Sequence, residues 1–139
     1  MADTRSRAEL GLQQIRNGQF AIKLVAAGAI NPDRFVVVDS NGKAAQATAS
    51  AINVVGVYVG AHAAVAGELV AIECGGIGIV EGDGSVAAGD LVASNADGRA
   101  TTIAGATGAV TIAADWLILG VALTTDGSAG ETIQIKFFR

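Results

Sequence analysis

The sequence is poor in the residues that usually carry chemistry. It holds one cysteine, Cys74, and one histidine, His62. A single thiol excludes an internal disulfide and a cysteine-rich zinc site. One histidine among scattered acids is a poor start for a metal centre of any kind. Nine lysines and arginines face thirteen acids, for a net charge of −4, and the cations form no cluster. Phosphate backbones are gripped by clustered cations, so nucleic acid is not an expected partner. Residues 44–67 lack formal charge but carry Gln46, Thr48, Ser50, Asn53, His62 and three glycines. That content is wrong for a spanning helix, and no membrane is expected. The opening "MADTRSRAEL" has no apolar core of the kind a signal peptide needs, and a reducing cytoplasm is the expected place of synthesis.

What remains is 51% hydrophobic but only 4% aromatic, with 19 glycines and one proline in 139 residues. The apolar mass is alanine, valine and isoleucine. β-Branched residues punctuated by glycine point to short strands and tight turns. The length fits one domain. Residues 1–19 differ in texture, with three arginines against two acids for a net +1, which leaves −5 on the other 120 residues. Ser6 and Glu9 match a capping box, and Ala8, Leu12 and Ile15 recur at helical spacing. Gly11 weakens that helix, so an extended arm is nearly as well supported. Either form is too short to stand alone and must lie on something.

From residue 20 onward the expectation is an all-β domain, a compact sandwich or barrel made of two similar halves, about 20–80 and 81–139. Strands are expected over 20–26, 34–38, 43–48, 52–59, 68–73, 77–80, 90–93, 99–103, 109–112, 116–123 and 131–138. The two halves are suggested by an internal repeat. "RFVVVDSNGKAAQA" (34–47) aligns with "DLVASNADGRATTI" (90–103) at an offset of 56. "VVGVYV" (54–59) aligns with "ILGVAL" (118–123) at 64, and "AGELVAIE" (66–73) with "AGETIQIK" (129–136) at 63. An Ala-Gly-acid turn also occurs a third time, in "AGDLV" at 88–92.

Each reactive group has a plainer reading beside the chemical one. Lys43, in "DSNGKA", could be the tip lysine of a lipoyl or biotinyl carrier domain. The repeat puts Arg99 in its place, and an arginine cannot be acylated, so Lys43 reads as a solvated charge after an Asn-Gly turn. His62 in "GAHAAVAG" has no neighbour that would fix its imidazole for catalysis. Cys74 in "IECGGIG" reads as a small buried hydrophobe. Glu81, Asp83 and Asp90 lack the spacing of a calcium loop and read as turn-solvating acids. "GGIGIVEGDG" has neither the dinucleotide nor the phosphate-loop pattern. No nucleophile, acid–base pair or cofactor box emerges, so neither enzymatic activity nor a cofactor is expected.

The motifs "NPDRFVVVDSNGKAAQAT", "VVGVYVG" and "AGELVAIECGG", with "AAGDLVASNADGRATT", "ILGVALT" and "AGETIQIKF", resemble the small head decoration, or cement, proteins of tailed bacteriophages. The resemblance spans most of residues 20–139 and carries no catalytic residues. It implies a virion protein on the outer capsid surface, often a trimer, that binds the major capsid protein and stabilises its lattice. The first 19 residues have no counterpart in it. Their charge balance suggests that Arg5, Arg7, Leu10, Leu12 and Ile15 form the contact with the capsid or an adjacent subunit. Three alternatives stay open: another phage structural β-protein, such as a head fibre base or tail component; a carrier domain; and a small hydrolase, which would require a nucleophile and base that the sequence does not offer.

Overall fold

The computed structural model describes residues 20–103 and 117–138. Within them the chain forms ten strands and no helix: β1 (Phe20–Val25), β2 (Phe35–Val38), β3 (Ala44–Gln46), β4 (Val54–Tyr58), β5 (Leu69–Cys74), β6 (Ile77–Asp83), β7 (Leu91–Ser94), β8 (Ala100–Thr102), β9 (Gly120–Ala122) and β10 (Ala129–Phe137). The first five make one sheet in the order β1-β5-β4-β2-β3. Its two outer strands approach through a single parallel bridge, Ala26 to Ala44. The last five make a closed barrel, β10-β6-β8-β7-β9. One parallel pair, Gly82 to Ala100, closes it, while its other pairings are antiparallel.

The two rings have one strand order, each strand replaced by the one five places later. Their registers agree as well. Ala21, Lys23 and Val25 face Glu73, Ala71 and Leu69 in the first ring. Ile77, Ile79 and Glu81 face Lys136, Gln134 and Thr132 in the second. The passage between rings is Gly75-Gly76, both with positive φ, so a division at residue 80 falls inside β6. That strand was expected to stop at 80 because "EGD" resembles a turn. It runs on to Asp83 because Glu81 and Asp83 are held by pairing with β10. The strand expected over 109–112 lies outside the described residues.

The connecting turns repeat in detail. Asp39 Oδ1 accepts from the backbone N–H of Asn41 and of Lys43 at 2.8 and 2.9 Å. Asn95 Oδ1 accepts from Asp97 and Arg99, both at 2.9 Å. Gly42 and Gly98 share a φ of 74°. In each turn the first Asx residue also pairs with the fifth through the backbone N–H. These are three-residue loops with glycine in the left-handed position, not two-residue Asn-Gly turns.

Alternation divides the apolar side chains between two cores. Val36, Tyr58, Val70 and Ile72 fill the first ring. Val80, Val92, Ile133, Ile135 and Phe137 fill the second, and Phe35, Ala47 and Val57 join them from the first ring. Thus β2 and β4 are buried on both faces where the rings meet. Close backbone approach inside each ring needs glycine at matching places. A Cβ on Gly56 would lie near the Glu73 carbonyl oxygen and one on Gly120 near that of Lys136, each at 2.2 Å. Gly28 faces open space. Gly56→Ala and Gly120→Ala are each expected to lower stability by about 1–3 kcal/mol, and Gly28→Ala to change it little. Urea midpoints measure all three, and equal midpoints would contradict the close approach.

Candidate functional site

The five residues proposed from sequence as an interface, Arg5, Arg7, Leu10, Leu12 and Ile15, lie outside the described residues. The remaining candidates are distributed over both rings. Lys43 is exposed at its turn. His62 is 75% exposed, 3.8 Å from Glu68, and its backbone carbonyl accepts from the Tyr58 hydroxyl at 2.9 Å. Its ring has no nucleophile beside it. Cys74 is half-buried at the end of β5, and burial, followed by the charge of Glu73, pushes its thiol pKa up. A raised thiol pKa disfavours the reactive thiolate. Among the described residues no three histidines, cysteines or acids stand close enough to hold a metal, and no helix is long and apolar enough to cross a membrane. A shallow depression between the rings is lined by Val54, Val55, Gly56, Leu119 and Phe137, none of them titratable.

The acids have separate duties. Asp83 accepts from both the backbone N–H and the hydroxyl of Ser85. Burial would raise its pKa, but the hydrogen bonds from Ser85 and Thr101 outweigh that and hold it below the ordinary value. Asp90 accepts from Ala87 N–H and the Thr102 hydroxyl. Asp126, only 5% exposed, accepts from Gly84 and Val86 N–H and fixes the loop after β6.

Glu81 departs from the turn-solvating role read from sequence. Its side chain is 17% exposed and takes Arg34 Nε on Oε2 at 2.5 Å and Arg99 Nη2 on Oε1 at 3.4 Å. Arg34 comes from the first ring, Glu81 and Arg99 from the second. Arg34 Nη1 also reaches the Asp97 carbonyl at 2.8 Å, which accepts from Gln46 Nε2 as well. Backbone bonds cross at the same place, from Phe35 N–H to Gly98 O and from Glu81 N–H to Asp33 O. The 95–99 turn is thereby wedged against β2 and β3, whereas its counterpart at 39–43 is free. Lys43 and Arg99, equivalent in sequence, therefore have different surroundings. A side chain with few ordinary signals, Ser94, adds a second polar tie: its hydroxyl donates to Thr48 O at 2.7 Å and accepts from Ala51 N–H at 3.1 Å.

What this geometry builds is a polar joint between the two rings. No known family profile matches the chain, and no curated protein matches it. A solved structure does: the N-terminal base of the head fibre protein gp8.5 of bacteriophage phi29, at a TM-score of 0.60 and 14% identity. The match covers 86% of this chain and 93% of that one. At such identity the likeness is one of fold.

The joint also contains a titration. Asp33 has a positive φ of 59°. Burial raises its pKa, Glu81 raises it further, and Arg34 partly opposes both. A carboxyl raised in the folded state contributes stability that is complete below its unfolded value, about 3.9, and lost as pH climbs through the folded value. Asparagine accepts the same left-handed backbone without the charge. Asp33→Asn is therefore expected to be more stable than the parent at neutral pH, with the gap closing below about pH 4. Denaturation midpoints across pH check this; a variant less stable at pH 7 than at pH 3.5, relative to the parent, would contradict it.

Proposed function

We propose that this chain is a structural protein of a tailed-phage head. In this reading it sits on the outer capsid surface as a decoration, or cement, protein and stabilises the lattice of the major capsid protein. The observation that carries it is the fold likeness to a head fibre base, which spans nearly the whole of both chains. The motifs of a twofold β-protein support a structural role. A homotrimer is the expected form. Many copies on a lattice act together, so each contact can be modest.

A second reading is favoured by the same likeness: the domain is the base that holds a fibre to the head. The two readings differ in consequence. A cement protein strengthens the shell, while a fibre base only occupies it. In both, Arg5, Arg7, Leu10, Leu12 and Ile15 supply the contact with the capsid or with a neighbouring copy.

Purified protein mixed with mature empty heads and pelleted is expected to co-sediment at a fixed ratio, and the decorated heads to resist heating better than bare ones. Deleting residues 1–18 should abolish retention. Binding without any gain in shell stability would favour the fibre base, and no binding at all would overturn both readings.

A further inference from the structure

One end of the domain carries apolar side chains that its own strands leave uncovered. There Phe20 stands opposite Cys74, the chain passes through Gly75-Gly76 into β6, and Gly76 O accepts from Phe137 N–H. Ile77, Ile79 and Phe138 are 50, 48 and 53% exposed at this end. Ile77 and Ile79 share the outer face of β6, opposite Lys136 and Gln134 of β10. Aliphatic and aromatic side chains left in water on adjoining strands mark a surface that something covers.

Two features say what covers it. The described chain begins at Phe20, on this same end, so the 19 preceding residues are tethered beside it. Those residues carry apolar positions at helical spacing, Ala8, Leu12 and Ile15, only five to twelve places before Phe20. A short tether gives a high effective concentration, which favours the chain's own segment over any partner in solution. Charge agrees. Glu73, opposite Ala21, is half-buried and forms no ion pair among the described residues. Burial raises its pKa, as expected of a carboxylate lacking a cation. The segment leading into β1 bears Arg5, Arg7 and Arg16.

We propose that residues 1–19 fold back on their own domain, with Ala8, Leu12 and Ile15 seated on the surface formed by Ile77, Ile79 and Phe138. Arg16 then lies within reach of Glu73. Helical spacing turns Arg7 and Leu10 away from that surface and leaves them for a partner. Of the five interface residues, Leu12 and Ile15 then anchor the segment, while Arg7 and Leu10 are presented. The proposal concerns the free protein and stands or falls without any head present.

Cross-linking tests it. In a Cys74→Ala background, Gln134→Cys places a thiol on the exposed face beside Ile79 and leaves the apolar residues intact. A second cysteine is introduced at position 12, 15 or 10, and a short bis-maleimide is added. Positions 12 and 15 are expected to link within one chain about tenfold faster than position 10, at a rate independent of protein concentration. In the position-15 pair, Ile77→Ser with Phe138→Ser should remove the preference; so should Leu12→Ser, which alters no residue of the domain. Leu69→Ser, at the far end of the β1–β5 pair, should leave it unchanged. Equal rates at the three positions, or links only between chains, would overturn the proposal.

Discussion

Burial of β2 and β4 on both faces is the constraint on which the rest of the structure depends. Successive side chains of a strand point in opposite directions, so Phe35 and Val57 enter one core while Val36 and Tyr58 enter the other. A wall shared in this way leaves neither ring complete without its neighbour. It also explains why "RFVVV" reads as a continuous apolar run, where an outer strand such as β10 alternates. The short strands and small residues of each ring bury little by themselves. Their stability comes from closing both cores against one pair of strands.

The polar joint has a different task. A half-buried ion pair adds little net stability, because desolvation offsets most of its attraction. Its geometry is nonetheless demanding. Glu81 must meet Arg34 from one ring and Arg99 from the other, and Arg34 must also reach the Asp97 carbonyl. These contacts together fix the 95–99 turn against β2. The two equivalent turns therefore serve unlike ends: one free in solvent at Lys43, the other acting as a key between rings.

Much of the fold was legible in the sequence because its signals are local. Valine and isoleucine runs marked strands such as β2, β4 and β6, and the aligned Asn-Gly, Asp-Gly and Ala-Gly-acid turns marked where shorter strands such as β3 and β8 begin. The long-range features were not legible. Glu81 looks like a turn acid beside Gly82, and nothing nearby in the chain announces Arg34, 47 residues away. The matched use of Asp39 and Asn95 as turn caps could have been found, since both stand two places before Asn41 and Asp97 in aligned stretches. The uncovered end at Ile77 and Phe138 depends on which face of β6 and β10 points outward, and pairing decides that. The functional reading draws on fold and motif together, because no residue in the described chain carries a chemistry that would specify it.

The shared wall makes a direct demand on unfolding. Two rings that complete each other's cores must melt together, as one cooperative unit. Scanning calorimetry is the most direct test. The account predicts a single endotherm with equal calorimetric and van't Hoff enthalpies. Two resolved transitions, or a van't Hoff enthalpy about half the calorimetric value, would mean that the rings fold independently and that β2 and β4 are not their common support.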